Sequence, residues 1–358
     1  MRVAFLLLCL CEIYLGALDT GYPDGLMANC PGMNKSTIIS EKTKRTLSLV
    51  IAYPSDNVFG YSETRCKLSA KGAACAAKYF DFKKRKTQII VSGYMDTTFS
   101  PLARSIITMY INLGRNVAML DTFPILLRPY PIAARVTKPL GELLGEFLAA
   151  LNLHGLSHKH LEIVGGSLGA HIGYYASVKY YELTSRKPAR LTGLDPAGPC
   201  YRNMNPKDRF NAEGAVKVDA LHTNIDGFGI ADSIAQIDFY ANGGEFQPAL
   251  AGDFIMPCFQ LCSHVRAAMY WILAYTNPDK FLAVRCDSVA DVRHGDCYDG
   301  NITSNVLGPR TEFNEPGIYY LPTKEVSPYY LGNEGLKKSM YGVNAYLLKP
   351  APDIDMII

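Results

Sequence analysis

The stretch Leu161-Glu162-Ile163-Val164-Gly165-Gly166-Ser167-Leu168-Gly169-Ala170-His171-Ile172-Gly173-Tyr174-Tyr175 decides how the rest of the chain is read. Residues 161–164 read as a strand and residues 168–179 as a helix. Between them stands Gly165-x-Ser167-x-Gly169. A strand that turns this sharply into a helix strains the backbone of its serine and leaves no room for side chains two residues to either side. Small residues are needed there, and the hydroxyl is exposed at the top of the turn. The pattern alone is a modest signal, because Gly-rich turns with an inert serine also exist; its placement between strand and helix makes it specific.

Working outward, Thr87–Val91, Asn116–Leu120 and residues 189–194 read as further buried strands. Leu140, Leu143, Leu144, Phe147, Leu148 and Leu151 fall at spacings of three and four, the stripe of an amphipathic helix packed on a sheet. Strands alternating with helices imply a mainly parallel central sheet with helices on both faces, and the serine turn makes this an α/β-hydrolase fold. Ligands of such sheets bind at the carboxyl ends of the strands. No repeat, low-complexity tract or linker divides the chain, so residues 18–358 are expected to form one domain.

A serine needs a base, and the base needs an orienting carboxylate; in this fold they follow in the order Ser, Asp or Glu, His. Asp195 ends the strand at 189–194 and is followed by Pro196, at the same sheet edge as Ser167. By pattern alone a strand-ending turn is an equal reading of Asp-Pro. Three histidines follow Asp195: His222, His264 and His294. His222 lies in a strand-like run and suits a packed residue. His264 precedes the helical run 266–273, whose first turn would hold an imidazole at a fixed loop-to-helix junction, so it is the expected base. His171, one helical turn beyond Ser167, reads as structural.

At 358 residues, 48% hydrophobic and 19% charged, the chain can bury a sizeable core and is too apolar to be disordered. Its 36 basic and 33 acidic residues leave a net charge of +3, which gives no electrostatic case for nucleic acid or an anionic membrane. Met1 and Arg2, an apolar run to Cys11 and the small pair Gly16-Ala17 have the layout of a secretory signal peptide over residues 1–17. Glu12 interrupts the run before it reaches the ~18 residues a membrane anchor requires, and no later segment is long enough to span a bilayer. The expected location is therefore extracellular, where disulfides persist. Cys258 with Cys262 and Cys286 with Cys297 would close short loops; the partners of Cys30, Cys66, Cys75 and Cys200 stay open. No cysteine pair has CxxC spacing beside a matching histidine pair, so neither metal nor cofactor is expected. Asn34 and Asn301 begin glycosylation sequons.

Taken together, GSLGAHIGYYA (166–176), GLDPAGPCY (193–201), HTN (222–224), DFYANGG (238–244), QP (247–248) and CSHVRAAMYW (262–271) resemble the pancreatic-lipase family of animal lipases, in particular its secreted insect branch. The resemblance covers nearly the whole mature chain. It implies a serine lipase with Ser167 as nucleophile, Asp195 as acid, His264 as base, and the N–H groups of Leu168 and Tyr94 as oxyanion hole. Several positions depart from the family pattern. Ser92 and Gly166 each replace a customary histidine, and Ala235-Gln236 replaces Gly-His. The calcium-binding acids of vertebrate members stand here as Pro206, Asn211 and Gly214, which lack the carboxylates calcium prefers.

The lid segment 247–262 is short and apolar at Leu250, Phe254, Ile255, Met256, Phe259 and Leu261, suited either to a membrane or lipid-droplet surface or to inward packing. In the family, a short lid together with a short 223–238 segment accompanies phospholipase A1 activity, so phospholipid is the expected substrate and triacylglycerol or another neutral ester the rival. A catalytically silent storage or lipid-binding protein is the other alternative, although the family's yolk proteins lack the serine retained here. The residues after His264 are too few for a further β-sandwich of about 100 residues, so no C-terminal domain of that kind is expected.

Overall fold

Seven parallel strands form the centre of an eleven-stranded sheet, and antiparallel pairs extend it at both edges. The computed structural model describes residues 27, 29–58, 60–251, 254–300 and 302–338; residues 1–17 and Asn301 lie outside them. The strands are β1 (Ser48–Pro54), β2 (Tyr61–Lys67), β3 (Thr87–Val91), β4 (Asn116–Leu120), β5 (Leu161–Gly166), β6 (Arg190–Leu194), β7 (Lys217–His222), β8 (Ile237–Ala241), β9 (Gln247–Ala251), β10 (Phe254–Cys258), β11 (Leu282–Cys286), β12 (Ser304–Val306) and β13 (Gly317–Leu321). Across the sheet they run β12-β11-β13-β8-β7-β6-β5-β3-β4-β1-β2, while β9 and β10 form a separate hairpin. The longer helices are α1 (Ala70–Ala77), α2 (Pro101–Asn112), α3 (Tyr130–Asn152), α4 (Leu168–Thr184) and α5 (Gln260–Thr276).

The parallel strands β3, β4 and β6 are buried along their whole length, which is why β3 and β4 end in continuous apolar runs rather than alternation. Ile89, Val91, Ile163 and Leu191 pack against α1, α3 and α4 on one face. Ile90, Met119, Val164 and Leu194 pack against α2 and α5 on the other. The leucine stripe predicted over 140–151 marks only the second half of α3, because the buried face of the first half is carried by the smaller Ala133, Ala134, Val136 and Thr137. Gly141 and Gly145 let α3 approach α4 closely: a Cβ on Gly141 would lie 2.6 Å from the Ile172 carbonyl oxygen.

Helix α5 begins at Gln260, earlier than the sequence suggests, so His264 stands one turn inside the helix rather than at its junction. The hairpin ends at Cys258, and the Cys258–Cys262 disulfide draws the chain straight into the helix. Cys286 is bonded to Cys297, Cys66 to Cys75, and Cys30 to Cys200 across 170 residues. The last of these fastens the N-terminal segment to the loop that follows β6. Among the described residues no helix is long and apolar enough to cross a membrane.

At the edge of the sheet away from the serine turn, Arg190 donates to both oxygens of Asp219, at 2.9 and 2.6 Å, and to the Gly308 carbonyl oxygen at 2.9 Å. Both side chains are almost fully buried. Removing one partner of a buried pair strands the other charge, so Asp219→Ala is expected to cost about 3–5 kcal/mol of stability, read as a lower denaturation midpoint in urea.

Candidate active site

The serine turn has the backbone its sequence demands. Ser167 sits at φ 54° and ψ −122°, between the last residue of β5 and the first of α4, a conformation that costs a non-glycine residue about 1–3 kcal/mol. Close packing holds it there. A Cβ on Gly165 would lie 2.2 Å from the Gly169 carbonyl oxygen, and one on Gly169 would lie 2.1 Å from the Val91 carbonyl oxygen. Gly166 meets nothing within 4 Å, so its missing side chain leaves open space beside the serine rather than relieving a clash.

Asp195 also adopts positive φ, at 44°, just past the end of β6. It is fully buried. Its Oδ1 accepts the backbone N–H groups of Thr223 at 2.8 Å and Asn224 at 3.1 Å. Its Oδ2 accepts His264 Nδ1–H at 2.5 Å. A carboxylate facing Nδ1 places the neutral ring's proton on that nitrogen and leaves Nε2 as the acceptor a nucleophile needs. Phe228 packs edge-on against the imidazole at 5.6 Å.

Ser167 and His264 line one cavity of about 1200 Å³. No hydrogen bond within 3.5 Å joins Ser167 Oγ to His264 among the described residues. The cavity passes between α2 and α5 toward the sheet, over Ile90, Met119, Val164, Ile106 and Met269. Its walls are overwhelmingly apolar.

Leu168 is the first residue of α4, so its N–H has no carbonyl within the helix to bond. Gly93 and Tyr94 form the neighbouring wall, with Tyr94 held edge-on against Tyr130 at 5.1 Å. A Cβ on Gly93 would lie 2.8 Å from Ser167 Cβ and 3.5 Å from Oγ, so only glycine admits this loop beside the serine. The Ser92 hydroxyl is buried without a hydrogen-bond partner.

His171 lies below the site, stacked on Tyr201 with ring centres 3.6 Å apart. Its Nε2–H donates to the Ala197 carbonyl oxygen at 2.9 Å and its Nδ1 accepts Phe210 N–H at 3.0 Å, so the ring pins the loop after Asp195. Burial, reinforced by the charge of Arg209, holds its pKa down to about 3. His222 is equally buried, with Nδ1 toward the Ile230 carbonyl oxygen and Nε2 toward Asp238.

Asn211 Nδ2 donates to the carbonyl oxygens of Pro206 at 2.7 Å and Arg209 at 3.1 Å, occupying that loop with an amide. Asn34 is exposed. Phe259 and Leu261 are exposed at 77% and 66%, whereas the side chains of Leu250, Phe254, Ile255 and Met256 lie outside the described residues. The residues that the sequence reading did not single out are Gly93, Thr223, Asn224, Phe228 and Gly229. A Cβ on Gly229 would lie 2.5 Å from Asp195 Oδ1. Thr223 and Asn224 fall within the HTN stretch, but a backbone amide leaves no mark of its role in a sequence.

The family described as Lipase matches residues 62–329. Lipase member H of Rattus norvegicus is 32% identical over 62% of this chain and 49% of its own length. Phospholipase A1 member A of Pongo abelii is 31% identical over 68% of this chain and 54% of its own. The chain thus spans about half the length of the curated relatives it matches. A ferulic acid esterase of Anaeromyces mucronatus overlaps 55% of this chain and 82% of its own at 14% identity, with a TM-score of 0.29 that carries no argument.

Gly93→Ala is expected to slow organophosphonate labelling of Ser167 about tenfold or more, since the new methyl group displaces either the serine or the loop. For His171, the unfolded chain takes up a proton near pH 6.5 while the folded chain resists until about pH 3. Stability is therefore lost as pH falls through that window, by about 1.4 kcal/mol per unit from this one group. Urea midpoints measured across the window in wild type and His171→Gln are expected to show a shallower acid slope in the variant.

Proposed function

The chain belongs to the lipase family, and on that premise we propose that it hydrolyses the carboxylic esters of lipids, with phospholipids as substrates in the manner of a phospholipase A1. The observation that carries the reading is the Asp195–His264 hydrogen bond at the wall of a large apolar cavity that Ser167 shares. Ser167 Oγ attacks the ester carbonyl carbon while His264 Nε2 takes its proton. The Leu168 and Tyr94 N–H groups stabilise the oxyanion, and the imidazolium then protonates the leaving alcohol. Water, deprotonated by the same imidazole, releases the fatty acid from the acyl-enzyme. Asp195 stays ionised and keeps the ring oriented.

The cavity between α2 and α5 receives the acyl chain, its apolar lining matching a hydrocarbon. The preference for phospholipids is supported by a lid reduced to two five-residue strands and by the relative named phospholipase A1 member A. Exposed Met95, Phe99, Phe259 and Leu261 suit contact with a lipid surface. Four disulfides among the described residues support secretion.

The deciding experiment labels the purified protein with an active-site serine phosphonate beside Ser167→Ala, then compares hydrolysis of phosphatidylcholine and triolein. Labelling confined to wild type with faster phosphatidylcholine cleavage is expected. Faster triolein cleavage would make the protein a neutral lipase, and folded wild type that takes no label would leave a lipid-binding or storage protein.

A further inference from the structure

Thr223, Gln247 and Ser263 are each fully buried, and none of them lines the cavity. Thr223 supplies one of the amides that hold Asp195, and Ser263 immediately precedes His264. Gln247, the first residue of β9, stands between the two. Its side-chain Nε2 donates to the Thr223 carbonyl oxygen at 3.0 Å and to the Ala241 carbonyl oxygen at 2.8 Å. Its Oε1 accepts Asn242 Nδ2 at 3.0 Å and the Tyr270 hydroxyl at 3.2 Å. Its backbone N–H donates to Ser263 Oγ at 2.9 Å. Ser263 Oγ donates in turn to the carbonyl oxygen of Cys258, the residue paired with Gln247 across the base of the hairpin.

We propose that Gln247 is a positioning residue, which sets the separation between the end of β7, whose backbone amides hold Asp195, and the helix α5 that carries His264. Resting as it does on the hydrolase reading of Ser167, Asp195 and His264, the inference adds a specific coupling. The lid hairpin and the Asp195–His264 contact share one buried hydrogen-bond junction, so an error at Gln247 reaches the imidazole without touching substrate. Every polar atom of the Gln247 side chain is engaged.

The test uses the full chain and a soluble short-chain ester, with active sites counted by phosphonate titration and kcat expressed per titrated site. Gln247→Met removes the amide at similar size. Ser263→Ala removes only the hydroxyl that receives the Gln247 N–H, and it carries the test if the first variant does not fold. Per-site kcat is expected to fall about ten- to hundredfold in Gln247→Met with KM unchanged, because sub-ångström misplacement of a catalytic pair acts on the chemical step. Ser263→Ala is expected to fall less, and the double variant to lose less than the product of the single losses, since both act through one junction. A purely structural role would lower the titratable fraction and the melting temperature while leaving per-site kcat at the wild-type value; that result in the folded variants overturns the inference alone. Wild type that takes no phosphonate overturns the hydrolase reading and this inference with it.

Discussion

A carboxylate buried completely within an apolar sheet must have its hydrogen-bonding capacity met, and the arrangement around Asp195 follows from that requirement. Three donors converge on it: two backbone amides from the end of β7 and Nδ1 of His264 from α5. The two amides meet Oδ1 and fix the end of β7, while the imidazole meets Oδ2 and fixes α5. The amides require the chain to turn away directly after His222, Gly229 must lack a side chain to pass the carboxylate, and α5 must lie at the height that brings one imidazole nitrogen into reach. Losing any donor would leave part of the carboxylate unpaired at a cost of about 1–3 kcal/mol, so stability and site geometry are held by the same bonds.

The serine side of the site is organised by steric exclusion instead. Gly93, Gly165 and Gly169 are places where backbone or side-chain atoms stand closer than any Cβ tolerates, and together they clamp Ser167 in its strained turn. The strain is sustained because β5 and α4 are both deeply buried and packed against α3. On the opposite face the packing is deliberately incomplete near the carboxyl ends of the strands. Deeper down, Trp271 Nε1–H donates to the Tyr110 hydroxyl at 2.8 Å and joins α5 to α2. Above that bond the helices leave space, and the open end of the cavity coincides with the serine.

Much of this could be read from the sequence wherever one residue type has one physical use. Gly165 and Gly169 around a serine, buried strands without alternation, and Asp195 followed by Pro196 each pointed to the correct place in the sheet. The start of α5 was misjudged because it is set by the Cys258–Cys262 bond and the hairpin before it, not by helix propensity. The pairing of Cys30 with Cys200 was invisible for a similar reason: nothing local records a contact across 170 residues. Backbone donors such as Thr223 and Asn224 are the hardest to foresee, since any residue other than proline can supply an N–H. A lone Gln-Pro pair gives no sign of what Gln247 does, because the five bonds that meet on it come from partners scattered along the chain.

The histidines show how environment, rather than residue identity, distributes function. His171 faces a carbonyl oxygen with one nitrogen and an amide N–H with the other, so the neutral ring is saturated and burial keeps it neutral. His222 faces a carbonyl oxygen and a carboxylate, and both nitrogens are again consumed inside the core. His264 has a carboxylate on Nδ1 and the cavity on the other side. Of the three rings, only this one combines a carboxylate on Nδ1 with a place on the wall of the cavity that Ser167 also lines, and that difference in surroundings sets it apart from the two buried braces.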